Sequence, residues 1–157
     1  MSSWKVSREY AAYSLDSMTI VAAQNEIVAE FEGMADWFDV YEALVKMGRE
    51  LGSLEEDERN DENSIPGCQS NVWLKMRMEN GIIKLEADSD ALITKGILSL
   101  LLRVLDGRPP GEILNTQLFF LYDIGLSTNL SPSRSDGLNN IIGTVMDFAR
   151  NNGTQTS

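Results

Sequence analysis

Val72–Glu79 alternates apolar and polar side chains, runs into Asn80-Gly81, and is answered by a second run over Ile82–Asp88. Successive side chains on a strand point to opposite faces, so a period of two predicts an extended segment with one apolar face. Asn-Gly tolerates the left-handed backbone of a tight type I′ turn, so the two runs predict an antiparallel hairpin. A two-residue turn sets the register: Met78 faces Ile83, Met76 faces Leu85, and Leu74 faces Ala87, all on the apolar face. On the other face Lys75 lies opposite Glu86, a favourable cross-strand pair. The methionines therefore read as sheet core rather than as ligands.

The elements that cover this face show a helical period. Residues 91–106 are apolar nearly all round and follow Asp88-Ser89-Asp90, which offers several helix N-caps. They predict a long central helix on the hairpin, with Gly96 either admitting a close neighbour or merely tolerated. Upstream, Thr19 caps a helix whose Ile20, Ala23, Ile27 and Phe31 step at helical spacing. Past Gly33, Asp36 caps a second helix that turns Trp37, Tyr41, Leu44 and Val45 inward and ends near Gly48–Gly52. Downstream, "DGRPPGE" is a turn and short helices fall over 112–122, with "LFFLY" in the core. Ser131-Pro132 then opens a helix traced by Leu138, Ile141, Ile142, Val145 and Phe148. Helices, antiparallel strands and helices in that order predict an α+β fold, a small antiparallel sheet packed against helices on one side. Residues 1–17 lack periodicity and read as an N-terminal extension, with Met18 an alternative start; 18–150 form the domain and 151–157 a polar tail. Lys5, Arg8, Glu9 and Asp16 interrupt any apolar core in the first segment, so it does not read as a targeting signal.

Composition removes many functions. The 157 residues suit one domain, and 24 acidic against 13 basic residues give a net charge of −11. That sign repels phosphate backbones and anionic membranes, so neither nucleic acid nor a membrane is an expected partner. The apolar run 91–105 is too short for a bilayer span and contains Lys95 and Arg103. The chain has no histidine, which excludes Ser-His-Asp and Cys-His couples and imidazole metal ligands. Its single cysteine cannot form an internal disulfide or a thiolate-rich metal site, and it fits a reducing, cytoplasmic setting. No phosphate-binding glycine loop is present. The acidic run 55–62 fails as a calcium loop, because Arg59 stands where a ligand belongs and no glycine follows Asp61; it reads as a solvated loop.

What remains is Cys68, in "NSIPGCQSNVW". Most lone cysteines are inert packing. Here Pro66 stiffens the approach, Gly67 permits a sharp turn, and Gln69, Ser70 and Asn71 are polar, so the thiol is expected at a reachable loop tip. An unperturbed thiol is only about 3% ionised at pH 7. Without a histidine neighbour, the arrangement suits a thiol whose activating surroundings come from a partner.

The same residues resemble a family motif. "EDERNDENSIPGCQSNVWL" is similar to the cysteine motif of the SufE family, "DSDALITKGILSLLL" resembles that family's second block, and "LSPSRSDGL" its third. With the N-terminal helix pair, the similarity runs over about residues 18–150. The resemblance implies an α+β fold shared with the U-type (IscU-like) iron–sulfur scaffolds, with the cysteine on an exposed loop at one end of the sheet. It implies that Cys68 accepts persulfide sulfur from a pyridoxal-phosphate cysteine desulfurase of SufS type, stimulates that enzyme, and relays the sulfur to a scaffold of SufB type. The pyridoxal phosphate would belong to the partner, and this chain would need no cofactor or metal of its own. A CsdE-like partner of a second desulfurase and, in a different class, a single-thiol redox sensor stand as alternatives, and a homodimer is left open. The resemblance also implies supporting places. Gly67 shapes the turn and Gln69 lies near the sulfur, while Arg59 and Asn63 brace the loop from its N-terminal side. Asp88 and Asp90 fix the junction beneath it. Arg134 approaches the sulfur loop or the partner, unless it makes a salt bridge at a helix start. Members of the family commonly carry a histidine just before the Ser/Thr-Pro-Ser-Arg block; this chain has Asn129 there.

Overall fold

A computed structural model describes residues 19–153; the predicted extension 1–17, Met18 and the last four residues of the polar tail lie outside them. Thr19 caps helix α1 (Ile20–Phe31) by accepting from the Ala22 amide at 3.0 Å. The expected stripe is buried, together with Gln24, whose amide donates to Gln117 O at 3.1 Å and accepts from Phe120 N at 3.2 Å. That buried amide is paired at both its nitrogen and its oxygen, as burial requires. Asp36 caps helix α2 (Trp37–Glu50) through the Asp39 amide. Its inward line is Val40, Leu44 and Gly48, with Trp37 and Val45 half-buried. Tyr41, expected inside, is exposed, because the stripe is set by the i, i+4 line through Val40, which turns Phe38 and Tyr41 to solvent.

Strands β1 (Val72–Glu79) and β2 (Ile82–Ser89) pair in the predicted register, with Met78 opposite Ile83, Met76 opposite Leu85, Leu74 opposite Ala87 and Lys75 opposite Glu86. Asn80 and Gly81 take the positive φ values of 52° and 85° that the turn needs. Two short segments complete the edges. Asn63–Ile65 runs along β1, with Ile65 N donating to Val72 O at 2.9 Å and Leu74 N to Asn63 O at 2.8 Å. Gly107-Arg108 runs along β2 through two bonds to Ile83, at 2.8 and 2.9 Å. Each satisfies backbone groups that an edge strand leaves open.

Helix α3 (Leu92–Leu105) covers the apolar face, burying Ile93, Ile97, Leu98, Leu100, Leu101, Val104 and Leu105. α2 crosses it backbone to backbone. A methyl group at Gly96 would overlap the Leu44 carbonyl, and one at Gly48 the Leu92 carbonyl. Gly96 thus admits a close neighbour, and Gly48, expected as a helix end, is the other half of the same crossing. Short helices α4 (Pro110–Leu114), α5 (Phe120–Asp123) and α6 (Leu126–Asn129) follow; the last was not foreseen. Phe120 and Leu121 are buried as expected, but Tyr122 is 70% exposed, since a helix this short turns only one side inward. The closing helix α7 (Pro132–Gly153) packs on α4 and β1 and runs through the first residues of the predicted tail. Ser131 stands at its start, its hydroxyl accepting from Arg134 N at 3.3 Å. The fold is α+β with one two-stranded antiparallel sheet among the described residues. Among those residues no helix is long and apolar enough to cross a membrane.

Candidate functional site

Cys68 sits in the loop 66–71, between the segment Asn63–Ile65 and β1, so two hydrogen-bonded extended stretches form its stalk. On the N-terminal side, the Asn63 amide group donates to Glu58 O at 2.8 Å, and its backbone N–H donates to the Asn60 side chain at 3.0 Å. Arg59 lies over the Trp73 ring at 5.9 Å and has its Nε 3.9 Å from Asp88 Oδ2. Both residues hold the stalk, and neither lines the cavity beside the thiol. Lys75 pairs chiefly with Glu58 rather than with the expected Glu86, which is 4.0 Å away; that pairing holds the Glu58 carboxyl below its ordinary range.

On the C-terminal side, Asn71 and Asp90 clasp each other. Asn71 N donates to Asp90 Oδ1 at 3.0 Å and Asn71 Nδ2 to Asp90 Oδ2 at 2.8 Å, while Asp90 N donates back to Asn71 O at 3.3 Å. Asp88, only 2% exposed, accepts from the Leu54 and Ser89 amides and lies 3.4 Å from Lys95 Nζ. It ties the acidic loop to β2 and α3. Neither carboxylate caps α3 as the sequence suggested. Ala91 occupies the cap position, and the Ser89 hydroxyl accepts its N–H at 3.2 Å. Both acids are drawn off by loop amides that reach across the junction.

At the tip, Gly67 has φ +79°, a conformation that favours glycine. It is also pressed by α7, because a Cβ there would overlap the Asn140 amide nitrogen. That amide donates to Pro66 O at 3.0 Å. One turn earlier on α7, Gly137 leaves a hollow into which Cys68 turns. A methyl on Gly137 would stand 3.2 Å from the sulfur, and the thiol approaches Gly137 O at 3.8 Å. The loop's backbone tip is exposed, while the Cys68 side chain turns toward α7 and is half-buried. Burial pushes the thiol pKa above its ordinary value.

The sulfur faces a cavity of about 30 Å³, lined by Val72, Ile97, Leu138 and Ile141 with Gln69, Ser70, Thr94 and Arg134. That is room for about one water molecule. Ser70 shares its hydroxyl with Ser89 at 3.4 Å and Thr94 at 3.2 Å, which fixes the loop's return toward β1. Arg134 is the charged residue in the lining, and among the described residues no carboxylate lies within ion-pair distance of it. Asn129 lies outside this cavity. Its amide donates to Gly125 O at 2.8 Å. Of the predicted residues, Gln69 and Arg134 join Cys68 at the cavity, Gly67 shapes the tip, and Arg59, Asn63, Asp88 and Asp90 hold the loop from below. Sequence reasoning missed Gly137, Asn140, Ser70 and Thr94. The sequence signals for Gly137 are its place in the "LSPSRSDGL" block and a glycine set inside an otherwise apolar-periodic helix.

A half-buried thiol thus lies beside a small apolar hollow and, among the described residues, a guanidinium with no carboxylate partner. The matches to known proteins cover most of the chain. The family model described as SufE, the Fe-S metabolism associated domain, matches residues 25–149. An uncharacterized SufE-like protein of Rhizobium etli is 35% identical over 135 residues, covering 83% of this chain and 91% of that protein. The solution structure of a hypothetical protein from Thermus thermophilus superposes with a TM-score of 0.67 at 18% identity, covering 84% of this chain and 96% of that one, and so shares the fold. Family match and identity agree: the chain belongs to the SufE family.

Proposed function

We propose that this protein is a sulfur acceptor that takes a persulfide sulfur onto Cys68 from a cysteine desulfurase and passes it on. Membership of the SufE family supports a sulfur-transfer partner of a cysteine desulfurase. The observation that carries the finer reading is the solitary thiol facing a hollow of one-atom size. In the transfer, the Cys68 thiolate attacks the outer sulfur of the desulfurase persulfide. A new S–S bond forms at Cys68, the old one breaks, and the desulfurase cysteine leaves as a thiolate. No net oxidation occurs, so no further reactant is needed. A second nearby thiol would displace the cargo as a disulfide, and the sequence contains none.

The closed thiol is protonated at neutral pH, because burial favours its neutral form. In this reading the partner supplies the surroundings in which Cys68 ionises and attacks. Arg134, at the cavity wall with no carboxylate partner among the described residues, offers the positive charge that would hold the thiolate or the loaded persulfide anion. The donor is of SufS type and the recipient a SufB-type iron–sulfur scaffold in this reading; the pyridoxal phosphate is the donor's.

The test is desulfurase turnover. Wild-type protein is expected to raise alanine production by a SufS-type desulfurase, and Cys68→Ser to lose that stimulation while keeping the fold. Undiminished stimulation by Cys68→Ser would end the proposal.

A further inference from the structure

Three features lie outside the transfer chemistry. One is the cleft between the α1–α2 turn and α5–α6, lined by Trp37, Tyr122, Glu32 and Asp123. A second is the Arg103–Glu26–Glu30 network. The third is the contact of α7 with the cysteine loop, whose parts are few and each of defined geometry.

The loop 66–71 is pinned at its base by the Asn63–Ile65 stalk and by the Asn71–Asp90 clasp. Its tip touches α7 through two residues one turn apart, Gly137 under the sulfur and Asn140 over Gly67. The Gly137 contact is a long thiol–carbonyl approach of 3.8 Å, weak by nature. The Asn140 bond to Pro66 O is 3.0 Å and well formed, the stronger of the two ties between the loop tip and α7. Proline contributes no N–H, so its carbonyl is its one polar group, and Asn140 occupies it. Asn140 is exposed and makes no contribution to the core; its backbone carbonyl accepts from the Thr144 hydroxyl, and its side chain is left for the loop. Nothing in helix stability calls for an asparagine at this place.

We propose that Asn140 is a positioning residue for sulfur acceptance: its amide latches Pro66 O and so keeps Cys68 folded into the Gly137 hollow until a partner displaces the loop. The latch sets the ratio of thiol-in to thiol-out loop in the free protein. A single neutral hydrogen bond of ordinary net strength shifts such a ratio about five-fold. Loss of the amide donor should then raise the reactivity of Cys68 toward a small alkylating reagent by about that factor. It should also lower the pH midpoint of alkylation toward that of a thiol in water, since the opened side chain escapes its burial. The same geometry couples Asn140 to Gly67. A methyl at Gly67 collides with the Asn140 amide, so the two positions are expected to be non-additive.

This inference deepens the sulfur-acceptor reading, but its test needs no desulfurase. Iodoacetamide alkylation of Cys68 is followed by mass spectrometry across pH, for wild type, Asn140→Asp and Asn140→Gln. Asn140→Asp keeps the shape and removes the donor, but its carboxylate also repels Pro66 O and the thiolate, so the neutral isostere Asn140→Leu is measured beside it. Asn140→Leu is expected to react about five-fold faster, with a lower pH midpoint and a closely similar melting temperature. Asn140→Gln keeps a donor and is expected nearer to wild type. Equal rates for wild type and Asn140→Leu would overturn the latch, as would equal acceleration by Asn140→Gln, which would assign the effect to shape. Failure of Cys68 to accept sulfur from a desulfurase would instead strike the proposed function and leave these rates untouched.

Discussion

Two contacts of α-helical backbone with another segment are tight enough that an added methyl group would press on it, and they differ in what backs them. At the α2–α3 crossing, Gly48 and Gly96 let two helices meet carbonyl to backbone, deep in the core. At the α7–loop contact, Gly137 and Gly67 let a helix meet a loop tip, at a half-buried thiol and an exposed turn. The first contact is backed by long helices on both sides, and neither partner can retreat without opening the core around Leu44 and Leu100. The second is backed on one side by a loop whose tip is held chiefly by the Asn140 hydrogen bond. The same residue type thus serves a contact between two packed helices and one between a helix and a loop, and what differs is what backs each partner.

The comparison can be broken most sharply at Gly96. Gly96→Ala gains about 1 kcal/mol in helix propensity. It must push the Leu44 carbonyl away, and a net loss of about 2 kcal/mol or more in urea unfolding is expected. Next in size is Gly67→Ala. Its φ of +79° and its collision with Asn140 should cost about 1–2 kcal/mol, with faster Cys68 alkylation as the side effect. Gly137→Ala is expected to be nearly neutral in stability. The propensity gain offsets the pressure on Cys68 at 3.2 Å, because the loop can yield. The sulfur, pushed from its hollow, should alkylate faster. A destabilisation as large as that of Gly96→Ala would show that the loop is as fixed as the helix crossing. Gly143→Ala, in the same helix with no neighbour within 4 Å, serves as the reference and should stabilise by up to about 1 kcal/mol.

The smallest effect is one of pH. The Cys68 pKa is raised in the fold, so the native state holds its proton longer than the unfolded chain. Stability from this group is fully present below the unfolded thiol value, about 8.5, and is lost as pH rises from there through the folded value. A urea-unfolding series above about pH 8 should therefore fall slightly more steeply for wild type than for Cys68→Ser. Equal slopes would mean that the thiol is already solvated in the native ensemble.

The sheet was the most legible part of the chain. Strict alternation on both sides of Asn80-Gly81 leaves one register that keeps Leu74, Leu85 and Ala87 on one face, and local turn chemistry fixes the rest. The edge segments at Asn63–Ile65 and Gly107-Arg108 were illegible, because their pairing is by backbone and asks nothing of their side chains. Cys68 could be found by elimination and by family resemblance. Its direction could not, because a turn of Pro-Gly-Cys says where a loop bends and not which wall its side chains meet. Gly137 and Asn140 approach it from 69 or more residues away in the chain, a distance over which periodicity carries no information. Local rules make helix caps of short acids at a helix start, and so of Asp88 and Asp90. Partners from other loops, Leu54 and Asn71, hold them instead.

The central claim is that Cys68 is a resting place for one transferred sulfur atom. Intact-protein mass spectrometry, after incubation with a SufS-type cysteine desulfurase and free cysteine, addresses it directly. The account predicts a species heavier by one sulfur atom, mapped to the peptide carrying Cys68 and removed by reducing agent. Unmodified protein, under conditions in which the desulfurase turns over and the protein binds it, would contradict the account.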